Sequence, residues 1–221
     1  MLRFQVQETV LTVLHNDKAV FNVDSRKPSP LSVGKGENSY AMSHGSFKIK
    51  ESIASREYAK ISAMTAEESA AVITTNVGTV RLEAVTEERI KVSFDGFEGY
   101  NRMWVTLPAT ANECVYGSGE VFSEFNLRGK KANVWVAEHI NALQIGKKLV
   151  KQVVGIKNTT RKQAFHKYET YYAQPTFLSS HKYFYHSLAT ARSVFDFTNS
   201  NCHIIQTDEI APDRKSTRLN S

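Results

Sequence analysis

The residues able to act as acid, base, nucleophile or metal ligand are scattered along this 221-residue chain rather than grouped. Of the seven histidines, His139, His166, His181, His186 and His203 stand singly. None forms the i, i+4 helical pair of a zincin-type site, so no metal is expected. Cys114 and Cys202 belong to no Cys-x-x-Cys pair and read as reduced core thiols rather than a disulfide or zinc framework. Ser118 lies between Gly117 and Gly119, but a nucleophile elbow needs Gly-x-Ser-x-Gly, and that offset is missing. A dinucleotide loop fails on the same stretch, because Phe122 stands where the third glycine is needed and the next glycine is Gly129. No cofactor is expected. What remains around Gly117 and Gly119 is a tight turn with positive-φ backbone, in which Glu120 could accept hydrogen bonds. Arg128, beside Gly129, is expected to pin that turn by pairing with Glu120 or Glu124.

The elements that must position these residues read as strands. "RFQVQETVLTVL" places Phe4, Val6 and, after a register shift, Val10 and Leu14 on alternate faces. "SFKIKESI" alternates in the same way. The run from Ala70 to Phe97 and "YNRMWVTLPA" are rich in β-branched residues, with Gly78, Asp95-Gly96 and Gly99 as turn punctuation. Pro28, Pro30, Gly34 and Gly36 mark an early loop, and Ser62–Ala71 suits either a helical turn or a polar loop. The aromatic-rich segment from Lys167 to Phe197 supplies further strands around a Pro175 turn. Many short strands with few helices predict an all-β sandwich. Trp104, Trp135, Tyr171, Tyr172 and Phe177 read as core or interdomain packing ahead of sugar platforms.

Composition bounds the partners. Hydrophobic residues make up 41% of the chain, enough for a core, yet no apolar run approaches the ~20 residues that span a bilayer, so no membrane is expected. The N-terminus has no secretory pattern, which points to the cytoplasm. The formal charge is +6, and seven basic residues between Lys147 and Lys167 are uninterrupted by an acid. That stretch lacks interleaved stacking aromatics and reads as a solvated loop or hairpin, with no nucleic acid as partner. Asp213–Ser221, "DRKSTRLNS", has one apolar residue and no cap logic. Back-translated as GAT CGG AAG AGC ACA CGT CTG AAC TCC, it resembles a widely used sequencing-adaptor oligonucleotide. The expected organisation is therefore a β-sandwich over residues 1–212 and a foreign, disordered tail over 213–221, the natural reading frame continuing past Pro212. The tail holds three basic residues and one acid, so the rest of the chain carries +4.

Two motifs carry a family resemblance. The first is Tyr116, Gly117, Gly119 and Glu120 followed by Phe122, Ser123, Phe125, Leu127, Arg128, Gly129 and Lys130. The second is Gln174-Pro175-Thr176-Phe177 followed by Ser179, Lys182 and Tyr183. With Asn101-Arg102-x-Trp104 and Phe195-Asp196-Phe197, the stretch from about Ala41 to Asn201 resembles the N-terminal, galactose-mutarotase-like β-sandwich of family 31 glycoside hydrolases, nearest the sulfoquinovosidase branch. The chain departs from that pattern at Val121, where the relatives usually carry Gln. It departs again at Glu138-His139-Ile140-Asn141-Ala142, where they are glycine-rich with an arginine.

The resemblance implies a retaining α-glycosidase, whose two catalytic aspartates lie on a (β/α)8 barrel following the sandwich. No alternating βα pattern precedes Pro212, so no catalytic residue is expected here, and the partner would be the protein's own barrel. The substrate would be a carbohydrate, an α-glucoside or α-sulfoquinovoside, with Ala137–Gly146, including Glu138 and His139, at the pocket rim. A stand-alone carbohydrate-binding sandwich is the alternative: it would show coplanar exposed aromatics, whereas an accessory domain would show a bare apolar face.

Overall fold

The computed structural model describes residues 1–43, 46–121, 124–136, 170–210 and 215–219. Alternation of β-branched and polar residues produces strands throughout, and no helix occurs among the described residues. A small sheet is formed by β1 (Leu2–Gln7), β2 (Val10–His15) and β3 (Lys18–Asp24). The six-stranded sheet uses β4 (Leu31–Ser43), β5 (Ser46–Tyr58), β10 (Arg102–Pro108), β12 (Lys131–Val134), β15 (Ser193–Asp196) and β16 (Cys202–Thr207), in the order β12-β15-β16-β10-β4-β5. The eight-stranded sheet uses β6 (Ile61–Ala66), β7 (Ala70–Thr75), β8 (Thr79–Ala84), β9 (Arg89–Asp95), β11 (Val115–Gly119), β13 (Ala173–Ser179), β14 (Tyr183–Ser187) and β17 (Lys215–Leu219). Its order is β11-β13-β14-β17-β9-β8-β7-β6. Every pairing between these strands is antiparallel.

Among the described residues the buried apolar side chains form two clusters. One joins Leu2, Phe4, Leu11 and Val13 of the small sheet to Val33 and Met103 and to Ile73, Leu82 and Ile90. The other centres on Phe177, packed against Tyr185, Phe195 and Phe197 at ring separations of 5.1–5.6 Å. The Tyr185 ring is stacked and the two phenylalanines are edge-to-face, and ring contacts of both kinds add to the area they bury.

Several local expectations are corrected. Leu11 and Val13 are the fully buried pair of β2, because the Glu8-Thr9 turn sets them opposite Val6 and Phe4. Gly34 and Gly36 lie inside β4, where the first lets Ser55 and Trp104 approach the backbone and the second lies opposite a bulge at Ala54 of β5. Ser62–Ala71 is strand, turn and strand, because its Ala residues pack in the β6–β7 pair rather than winding a helix. Pro175 sits within β13 instead of at a turn. It is tolerated there because the ladder to β11 skips its position, so no N–H is required of it. Cys114 and Cys202 are free but half-buried rather than core. Lys215–Leu219 pairs with β14 and β9 as β17, against the expectation of a disordered tail.

Candidate functional site

The Tyr116–Lys130 motif is built on β11 and the turn after it. Gly117, Ser118 and Gly119 take φ values of 114°, 66° and 98°, three successive residues in the region that favours glycine. This turns β11 opposite a bulge at Gln174, Pro175 and Thr176 of β13, and seats Ser118 fully buried. A methyl group at Gly119 would overlap the Tyr172 carbonyl oxygen, which also accepts the Glu120 amide at 3.1 Å. The outer side of β11 is already occupied: the Leu127 amide donates to the Val115 carbonyl at 2.7 Å, and the Val115 amide donates to Asn126 Oδ1 at 3.0 Å.

Arg128 is held differently from the expected carboxylate pairing. Its guanidinium donates to four carbonyl oxygens, those of Phe197 (2.9 Å), Asn199 (2.7 Å), Thr110 (2.9 Å) and Ser200 (2.8 Å). A fixed five-donor fork suits this clamp, which ties the turn to the end of β15. Gly129 continues the turn at φ 76°. Gln174 is exposed on β13 beside the half-buried Pro175.

The other resemblance motif is equally structural. Asn101 grips β4 at Gly36, accepting from its amide at 2.9 Å and donating to its carbonyl at 3.0 Å. Arg102 Nε lies 3.3 Å from Glu51 and 3.4 Å from Asp208, and Arg192 meets the same two carboxylates at 3.6 and 3.1 Å. Asn38 and Gln206 complete the group. Glu51 and Asp208 thus share two arginines in a closed network of balanced charge. Trp104 carries the Arg56 guanidinium 4.5 Å above its ring.

A buried polar cluster was missed by sequence reasoning. Glu113 Oε1 accepts from Ser179 Oγ at 2.5 Å and Tyr183 Oη at 2.8 Å, and His203 Nε2 lies 3.1 Å away. Serine, histidine and acid meet here, but the carboxylate is the hub and the serine hydroxyl donates to it rather than to the imidazole. No nucleophile is activated, and Glu113 and His203 are 1% and 0% exposed, so no substrate reaches them. No sequence motif betrays the cluster, since Glu113 meets Ser179, Tyr183 and His203 only through sheet pairing. Among the described residues no three His, Cys, Asp or Glu side chains converge as a metal site. Glu138, His139 and the Lys147–Lys167 stretch lie outside the described residues.

Burial pushes the Glu113 carboxyl up, but hydrogen bonds from Ser179, His203 and Tyr183 outweigh it and hold the group below its ordinary 4.5. Burial lowers His203 from 6.5, and His186 is lowered by burial and by Arg89. In each case the unfolded chain takes up the proton first as pH falls. Stability is therefore present above the unfolded values and is lost on acidification, first below about 6.5 for the histidines and then below about 4.5 for Glu113. Thermal melts should show Tm falling by about 3 °C or more from pH 7.5 to pH 5. His203→Asn should flatten that slope; an unchanged slope would remove His203 from the account.

These strands define an all-β sandwich of the kind found in family 31 glycoside hydrolases. The fold matches a GH31 family sulfoquinovosidase from E. rectale with a TM-score of 0.82 at 24% identity, over 99% of this chain and 32% of that one. By sequence the chain is a homologue of the sulfoquinovosidases of Agrobacterium fabrum (27% identical over 215 residues, 93% of this chain) and Escherichia coli K12 (26% over 196 residues, 86%). It spans 30% and 28% of the length of these curated relatives. No family model matches the sequence.

Proposed function

We propose that this chain is the non-catalytic β-sandwich part of a retaining α-glycoside hydrolase that cleaves an α-sulfoquinovoside or a related α-glucoside. It packs on and shapes the active site of a (β/α)8 barrel supplied by the rest of the protein. The observation that carries this reading is an apolar face on the outer side of β11 and β13. Phe125 is 85% exposed, Tyr172 64% and Leu178 54%, and they gather around the turn that holds the Tyr116–Lys130 motif. Exposed apolar groups that cluster in this way mark a surface made for a partner. A sugar platform is less well supported, because the Tyr116 and Phe125 rings are tilted by 43° rather than coplanar.

The test is an assay of the purified chain with 4-nitrophenyl α-glucoside and its α-sulfoquinovoside counterpart, beside the same gene extended through its downstream sequence. No turnover is expected from the chain, and turnover is expected from the extended protein. Hydrolysis by the chain alone, abolished by Glu120→Gln or Glu113→Gln, would place a catalytic site in the sandwich and overturn the proposal. The loop with Glu138 and His139 is assigned to the pocket rim on the resemblance alone; in the extended protein, substitution there should change KM more than stability.

A further inference from the structure

We infer that the slot between β9 and β14 is a strand-acceptor site, built for a segment with large apolar residues at the two positions that Lys215 and Thr217 now hold. Three observations on different parts of the molecule converge on it. The first is register: position 215 is opposite Val92 and Ser187, position 217 is opposite Ile90 and Tyr185, and position 219 is opposite Tyr183. Cross-strand partners share a face, and Ile90, Tyr185 and Ser187 are buried. Positions 215, 217 and 219 therefore belong to the core face, where the sequence has Lys, Thr and Leu.

The second is a cavity of about 180 Å³ lined by Ile90, Val92, Tyr183 and Tyr185 of the flanking strands and by Val105 and Leu107 of β10 across the sandwich. It continues under the small sheet along Val13, Phe21 and Val23. The pocket is partly open, and a domain of this kind ordinarily has one continuous core. The third is the division of the core. The cluster containing Ile90 and Val92 and the cluster containing Tyr183 and Tyr185 meet across the same slot, with Val105 touching both.

The backbone ladder of β17 closes the sheet, but lysine and threonine are poor choices for filling an apolar void. The fitting occupant is an extended, alternating segment of the same polypeptide, apolar at the core-facing positions and polar between them. It would come from the part of the longer protein that this chain does not span, given coverage of 30% of the Agrobacterium relative. This inference rests on the reading of the chain as part of a longer enzyme.

The experiment uses the full chain. Lys215→Ile combined with Thr217→Ile should raise Tm by about 5 °C or more, through added apolar burial. The control pair Ser216→Val and Arg218→Val, on the opposite face, should shift it by no more than about 2 °C. The lining is almost wholly apolar, so benzene-saturated buffer should raise Tm of the unmodified chain, and the filled double variant should lose that response. A core-facing pair that stabilises no more than the control pair would overturn the inference. So would the absence of a benzene response in the unmodified chain. Neither result bears on the activity assay of the extended gene, so the two proposals fail separately.

Discussion

Replacing Arg102 with alanine is expected to lower the unfolding free energy by about 3–5 kcal/mol, the range for breaking a buried ion pair from one side. The Arg102 and Asp208 side chains are 4% and 5% exposed, and Glu51 is 22% exposed. Removing the guanidinium leaves two carboxylates to Arg192 alone, and also frees Asn38 Oδ1 and the Asn101 carbonyl, which it contacts at 3.0 and 2.8 Å. Arg102→Lys should fall between the two, because a point charge cannot reach all four acceptors at once. Urea denaturation followed by far-UV circular dichroism measures the difference. A loss under about 1 kcal/mol for the alanine variant would mean that the network is a surface ornament, contrary to its burial.

Gly119→Ala should be comparably severe, costing at least about 3 kcal/mol, and Gly129→Ala should cost only about 1 kcal/mol. Both glycines have positive φ, 98° and 76°, so both substitutions carry the conformational penalty of a side chain in that region. They differ in their surroundings. At Gly129 an added Cβ meets nothing within 4 Å, whereas at Gly119 it overlaps the Tyr172 carbonyl and must push β11 away from β13. The pair of variants separates backbone strain from steric overlap in one set of melts. Equal losses would show that β13 yields freely, and that the Gly119–Tyr172 approach is not a constraint.

The sandwich was legible in the sequence because its strands alternate, and the β7–β8–β9 meander follows from β-branched runs punctuated by Gly78 and by the polar turn before Arg89. Reading failed where tertiary pairing overrules local preference. Gly34 and Gly36 look like loop residues, but they are glycine because Ser55, Trp104 and Arg102 crowd the β4 backbone. Pro175 looks like a turn residue, and its tolerance within β13 depends on a bulge that appears only in the pairing with β11, more than fifty residues away in sequence. Arg128 was identified as a clamp, but its acceptors are main-chain oxygens, which no residue type announces. The Glu113 cluster was illegible for a similar reason: His203 sits in a strand that alternates buried and half-buried positions, and nothing nearby in sequence signals its carboxylate partner.

The left-handed run in β11 has a consequence for how copies of the protein behave towards one another. It is the outermost strand at one end of the eight-stranded sheet, and an open border of amides and carbonyls would invite a neighbouring molecule to extend the sheet. Here the Val115 amide and carbonyl are already engaged by Asn126 and Leu127, and the three positive-φ residues that follow twist the remaining backbone out of line. The border cannot template another strand. The turn therefore protects a crowded solution of this protein against edge-to-edge growth into aggregates, at the same end of the molecule where its apolar face lies bare.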